Sequence, residues 1–125
     1  MEQKVCLDTD VCIEIIKGNE DVKAKLIQFS SLQLNVTSIS VFELYLRKDN
    51  PGDIDDFLDG VDVIPFDEVS AKIASNVSKL LRRRGKLVDV RDIFIAAISM
   101  REDCNFITLN EKHFADIDGL KLIRI

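Results

Sequence analysis

Apolar residues along this chain fall into two kinds of run, and their alternation predicts the architecture. Val5-Cys6-Leu7, Leu34 to Thr37, Val61 to Pro65, Asn105 to Thr108 and Leu120 to Ile125 are short, largely apolar stretches of the kind that form buried strands. The proline in the third of them marks an edge. Between the strands lie helical patterns. Asp8-Thr9-Asp10 offers N-cap chemistry ahead of Val11 to Ile16, and Gly18 stops that helix. Asn19 can cap a second helix, which spaces Val22, Leu26 and Phe29 along one face. Ser40 opens a third through Leu46, and Asn50-Pro51-Gly52 then breaks the chain. An acidic segment, Asp53 to Asp59, reads as helix up to Gly60. From Asp67 to Arg84 the pattern is most clearly amphipathic, with Val69, Ile73, Val77 and Leu80 as one stripe and Gly85 as the stop. A helical turn is expected at Glu111 to Phe114.

The helix that opens at Asp89-Val90-Arg91-Asp92 is different. Ile93 to Ile98 is wholly apolar, and a helix apolar all round is buried on every side. Its first turn nevertheless carries two acids, Asp89 and Asp92. Short strands alternating with helices predict an α/β class: a three-layer α/β/α domain over residues 1–125, around a mostly parallel sheet of about five short strands. No repeat, low-complexity tract or linker divides it. In such sheets the site lies beyond the carboxyl ends of the strands. That rule gathers Asp8, Glu43, Asp92 and Asn110 at one pole.

Composition narrows the setting. The chain is 46% apolar and 31% charged, which is globular rather than disordered. No apolar run approaches the roughly 18 residues of a membrane span. Met1-Glu2-Gln3-Lys4 leads directly into the first strand, so no signal peptide is expected and the cytoplasm is the default compartment. Cys6, Cys12 and Cys104 form no Cys-x-x-Cys pair and there is one histidine, so neither a zinc site nor a disulfide framework is expected. The formal charge of −5 excludes a bulk basic surface. Any contact with nucleic acid must be local or metal-mediated.

Each acid at the pole has an ordinary explanation. Ser40-Val41-Phe42-Glu43 is a capping-box pattern, in which Glu43 would bond the Ser40 amide, and Thr108 to Glu111 repeats it. Asp89 suits an N-cap, and Asp92 suits the positive end of the helix dipole. Capping alone does not require three carboxylates aimed at one pole. Grouped carboxylates in a partly dehydrated site must protonate or hold a cation. Oxygen donors without histidine or cysteine favour Mg²⁺ or Mn²⁺. Such an ion activates water and polarises a phosphoryl oxygen, which points to phosphodiester hydrolysis. Arg82-Arg83-Arg84 with Lys86 is the one basic cluster, read as dipole complementarity in preference to a phosphate-positioning patch. His113 is assigned no role, since no carboxylate or serine stands near it in sequence.

These pieces resemble a known family. Val5-Cys6-Leu7-Asp8-Thr9-Asp10-Val11-Cys12-Ile13 is similar to the start of PIN-domain ribonucleases, especially VapC-type toxins. Thr37-Ser38-Ile39-Ser40-Val41-Phe42-Glu43-Leu44 resembles their second motif, and Asp92-Ile93-Phe94-Ile95-Ala96-Ala97 their central acidic helix start. Ile107-Thr108-Leu109-Asn110 through Phe114, Ile117, Gly119 and Leu120 resembles their closing pattern. The resemblance implies a PIN-like (Rossmann-like) fold and a metal-dependent endoribonuclease acting on RNA. It also implies a homodimer and a small cognate antitoxin. On that basis Asp8 and Asp92 are the main ligands of Mg²⁺ or Mn²⁺, and Glu43 completes the pocket. Thr37, Ser40 and Thr108 orient carboxylates or waters. Hydrolysis would proceed by in-line attack of activated water.

Two departures stand out. Asn110 occupies the place of a fourth acid, so it can position water or coordinate weakly but adds no charge. Asp10 stands where asparagine is common; it could restore some charge, although capping of the first helix is its expected role. Two rival readings remain. Asp8-Thr9-Asp10 also resembles the opening of haloacid-dehalogenase-type phosphatases, with Asp8 as nucleophile and Asp10 as general acid/base. The other rival is a PIN-like interaction module whose catalytic site has decayed, a reading that Asn110 keeps open.

Overall fold

The computed structural model describes residues 3–48 and 50–125. Met1 and Glu2, which open the stretch expected to carry no signal peptide, lie outside the described residues, as does Asp49. Five strands, β1 (Val5–Leu7), β2 (Leu34–Thr37), β3 (Asp62–Ile64), β4 (Asn105–Ile107) and β5 (Lys121–Ile123), form one sheet in the order β3-β2-β1-β4-β5. Every pairing is parallel. The helices are α1 (Thr9–Ile16), α2 (Glu20–Leu26), α3 (Ser38–Leu46), α4 (Pro51–Asp59), α5 (Glu68–Arg83) and α6 (Val90–Arg101). Tight 3₁₀ turns at Ile27–Phe29 and Glu111–His113 complete the described elements. The three-layer parallel α/β expectation holds.

β1 is central, and its unbroken apolar run is what burial on both faces demands. Successive residues point to opposite faces. Cys6 joins one core with Ala74, Val77 and Leu81 of α5 and Ile93 to Ile98 of α6. Val5 and Leu7 join the other with Val11, Val22, Leu44 and Ile54 of the first four helices. The edge position of β3 agrees with Pro65 at its end. From β1 the chain winds through β2 to β3, then crosses α5 and α6 to start β4 on the other side of β1. The strand order therefore reverses between β1 and β4, and the crevice beyond their carboxyl ends is the place where α/β sheets bind ligands.

α6 is buried as expected, with Ile95, Ala96, Ala97 and Ile98 fully enclosed. The stripe of α5 is shifted. Ser70, Ala74, Val77 and Leu81 face inward, whereas Val69 and Leu80 are 46% and 49% exposed. Small residues on the inner side let α5 lie close against α6, and apolarity alone did not reveal that choice. Two helix starts also differ from expectation. α3 begins at Ser38 because the Thr37 hydroxyl caps it, accepting from the Ser40 N–H at 3.1 Å. α4 begins at Pro51, with Asn50 as N-cap, so the Asn-Pro-Gly tripeptide starts a helix, α3 having already ended at Leu46 where Arg47 turns extended.

Candidate active site

Asp8 stands at the switch point. Its backbone N–H extends the ladder to Ile107 O at 2.9 Å, which pins it beside the end of β4. One carboxylate oxygen caps α1 by accepting the Thr9 N–H at 2.8 Å. The other accepts the Thr108 hydroxyl at 2.7 Å. The residue is only 7% exposed. Burial, and then the charge of Asp10, push its carboxyl up to about 7, against the two hydrogen bonds that favour ionisation; Asp92 adds to the upward push.

Asp10 is not the cap of α1. It lies in the first turn, and its Oδ2 accepts the Leu109 N–H at 3.2 Å with the Thr108 hydroxyl at 3.3 Å. The N-cap role falls to Asp8 because that residue, just after β1, is still extended. Asp10 Oδ1 is buried with no hydrogen-bond partner. The Thr108 hydroxyl also accepts the Asn110 N–H at 3.0 Å, which shapes the turn after β4. A cleft of roughly 540 Å³ opens beside this turn, lined by Lys25, Thr108, Leu109, Asn110, Glu111 and Lys112 among others.

Glu43 is also not engaged as a capping-box residue, because Thr37 has taken that place. Its Oε1 accepts the Thr9 hydroxyl at 2.6 Å, and its Oε2 lies 3.5 Å from Arg91 Nη1. Thr9 and Ser40 meet at 2.8 Å, and Thr37 and Ser40 at 3.3 Å. Thr37 and Ser40 are fully buried, so they hold Thr9 and the start of α3 from behind. Glu111 likewise makes no capping box with Thr108; it pairs with Arg124 at 3.1 Å.

Asp92 lies in the first turn of α6, which Asp89 caps as expected by accepting the Arg91 N–H at 2.9 Å. Burial raises its carboxyl; His113 and Arg91 oppose that shift, while Asp89 and Glu43 reinforce it. The four pole acids Asp8, Asp10, Asp92 and Glu43 thus form one electrostatic unit, with Asp92 felt at Asp8 and Glu43 felt at Asp92. His113 joins them: its Nδ1 is 3.4 Å from Asp92 Oδ2, and its Nε2 is 3.0 Å from Asn110 Nδ2. Asn110 therefore faces His113. The sequence offered no signal for His113, since its carboxylate partner comes from another element. Thr9 and Arg91 were also missed, although each adjoins an acid that was singled out. Arg84 leaves the basic cluster, because its guanidinium binds Asp116 O at 3.0 Å and lies beside Asp116 and Asp118.

Among the described residues, no three His, Cys, Asp or Glu side chains already stand as a metal cage. The chemistry of the pole still fits a hard divalent cation. It offers oxygen donors, a buried carboxylate oxygen without a partner, and an aspartate that burial, and then its acidic neighbours, push towards protonation. The cysteines offer no competing chemistry: all three are buried and free, with thiols that burial pushes up.

Comparison with known proteins finds relatives of both the sequence and the fold. The sequence model of the PIN domain matches residues 5–120. Ribonuclease VapC3 of Methanocaldococcus jannaschii is 39% identical over 92 residues, covering 74% of this chain and 94% of that protein. DNA-bound VapBC from Salmonella typhimurium superposes with a TM-score of 0.88 at 25% identity, over 98% of both chains. VapBC2 from Rickettsia felis, bound to a promoter DNA fragment, gives the same TM-score and coverage at 23% identity, which speaks for the fold alone.

Proposed function

The chain belongs to the PIN-domain family, and from that premise we propose that its acidic pole is the centre of a divalent-metal-dependent endoribonuclease, the toxin of a toxin–antitoxin pair. The observation that carries the reading is a chain of contacts at the carboxyl end of β1: Asp8 on Thr108 and the Thr9 N–H, the Thr9 hydroxyl on Glu43, and Glu43 beside Arg91, which adjoins Asp92, with Asp10 Oδ1 buried and unpartnered. Asp8 and Asp92 would hold Mg²⁺ or Mn²⁺, with Glu43 and Asp10 as the further oxygen donors in reach of the unit. The bound ion supplies a Lewis acid for the phosphodiester and lowers the pKa of its water. The chain's own residues do the rest. Thr108 and the Thr9 N–H hold the Asp8 carboxylate in one orientation. Thr9, backed by Ser40 and Thr37, fixes Glu43. His113 stands beside Asp92, and Asn110 meets the other ring nitrogen of His113, so the pair borders the pocket in which a leaving oxygen or a water would be held.

The phosphatase alternative asks Asp10 for a free carboxyl as general acid/base. That reading would leave Glu43 and Asp92 without work, and it finds Asp10 Oδ2 already bound to the turn after β4. The small antitoxin expected from the VapC resemblance fits with VapBC assemblies among the structural neighbours. Homodimerisation is part of the same proposal, to be read from the mass in solution. No helix of the described residues is long and apolar enough to cross a membrane.

The deciding experiment is calorimetric titration of Mn²⁺ into wild type and the Asp8→Asn, Asp92→Asn double variant, paired with cleavage of total RNA. Binding and cleavage by wild type alone are expected. A folded wild type that neither binds Mn²⁺ nor cuts RNA, with RNA present during the titration, would replace the nuclease by a decayed interaction module.

A further inference from the structure

Arg91 places a cation inside a pole otherwise made of acids. Its Nη1 lies 3.5 Å from Glu43 Oε2, its Nε lies 3.7 Å from Asp89 Oδ1, and its backbone N–H is held by the same Asp89 oxygen. The Arg91 side chain is 45% exposed and that of Glu43 only 19%, so the guanidinium covers the inner carboxylate from the solvent side. Glu43 has its second oxygen on the Thr9 hydroxyl at 2.6 Å. Both of its oxygens are therefore engaged without any metal. A cation that enters the pocket and takes Glu43 Oε2 competes with Arg91 for that carboxylate. Arg91 directly precedes Asp92 in the first turn of α6, so a displaced guanidinium stays within side-chain reach of the site. A guanidinium there presents a planar fork of N–H donors, which matches phosphate better than an ammonium does.

Building on the ribonuclease reading, we propose that Arg91 is a positioning residue for RNA that exchanges partners: it pairs with Glu43 while the pocket lacks a divalent cation, and moves to an RNA phosphate oxygen once the cation claims Glu43. Charge stays matched at both stages. Glu43 passes from guanidinium to metal, and phosphate replaces Glu43 on the guanidinium. The exchange also lets a chain of net charge −5 bind a polyanion. RNA affinity becomes conditional on metal, because without metal Arg91 is occupied by Glu43. Elsewhere on the chain, Arg84 is already committed to Asp116 and Asp118.

The proposal predicts opposite signs for two titrations of one variant. Arg91→Gln removes the cation that competes for Glu43, so Mn²⁺ should bind several-fold more tightly by calorimetry. A fluorescein-labelled random-sequence RNA oligonucleotide, titrated in Ca²⁺ at several salt concentrations, should bind several-fold more weakly. The slope of log affinity against log salt should fall by about one phosphate contact. Arg91→Lys should restore the slope but not the full affinity, because a point charge lacks the fork. A merely structural arginine would weaken both titrations together. Unchanged or weaker Mn²⁺ binding in Arg91→Gln, or an unchanged RNA salt slope, overturns the exchange while leaving the nuclease intact. A wild type that binds Mn²⁺ yet neither binds nor cuts RNA removes the ribonuclease reading, and the exchange falls with it.

Discussion

Thr108 donates its hydroxyl to Asp8 Oδ2 at 2.7 Å, joining residues a hundred positions apart across the β1/β4 switch point. The bond favours the ionised carboxylate, while burial and Asp10 push the other way, up to about 7. Thr108→Val keeps the β-branched shape and deletes the donor. The Asp8 carboxyl should then rise further, so the pH at which Mn²⁺ binding is half developed should move upward. Calorimetric titrations between pH about 6 and about 9 span both sides of that midpoint. An unmoved midpoint would mean that Asp8 is not the group whose ionisation admits the metal.

The same carboxyl links stability to pH. Its pKa is raised on folding from the ordinary 3.8 to about 7, so the folded state binds the proton more tightly than the unfolded state. The resulting stability is complete below the unfolded value and is lost as pH rises through the folded one. Ionising Asp8 within the metal-free fold costs at most about 4 kcal/mol. Metal-free wild type should therefore lose Tm relative to Asp8→Asn as pH rises across that window, and Mn²⁺ should restore it at higher pH in wild type only. The difference between the two melting profiles isolates Asp8 from other carboxylates such as Asp67, whose own shift is downward. Parallel profiles would refute the linkage.

Which parts were legible in the sequence follows from which interactions are local. β1 and β2 are read to the residue, because an apolar run bounded by capping residues specifies a buried strand. Asp8, Glu43 and Asp92 are expected at one pole from topology alone, since a parallel sheet sends its strand ends and the α6 N-terminus to the same side. His113 could not be seen, because its link to Asp92 depends on how the turn after β4 folds back. The capping boxes failed for a related reason: Thr37 offers the same hydroxyl one turn earlier, and Glu43 has a stronger use with Thr9 and Arg91. The inner face of α5 is legible in part: Val77 and Ile73 pack inward as expected, but Val69 and Leu80 are exposed and Ser70 and Ala74, which carry no hydrophobic signal, are buried, because a close helix pair selects small side chains.

Asn110 tests the fourth position of the pocket. Its Nδ2 meets His113 Nε2 at 3.0 Å, and His113 in turn stands 3.4 Å from Asp92. Asn110→Asp adds a carboxylate to a unit that already carries four. Without metal the added repulsion should lower Tm; with Mn²⁺ the extra charge should tighten binding several-fold. Both shifts are measured by thermal melts and calorimetry on the same preparation. Weaker Mn²⁺ binding in the variant would show that the Asn110–His113 contact serves the metal site better than charge does.

The last prediction separates burial from apolarity. Ile95 and Leu80 are both aliphatic and both helical, yet Ile95 is fully enclosed in α6 whereas Leu80 is 49% exposed on α5. Ile95→Asp would place an unpaired carboxylate among Cys6, Ala97, Ile98 and Phe106, residues of the core that α6 shares with the sheet. Such a group must protonate or be solvated by opening the core, a penalty of several kcal/mol. That is a large share of the roughly 5–15 kcal/mol that holds a domain of this size together. Leu80→Asp leaves its carboxylate in water and should move Tm little. Circular dichroism melts of the two variants should therefore diverge, with Ile95→Asp unfolded or strongly destabilised and Leu80→Asp near wild type. Equal melting temperatures would mean that α6 is not the buried centre on which the acidic pole is built, since Asp92 is held at that pole by the same helix.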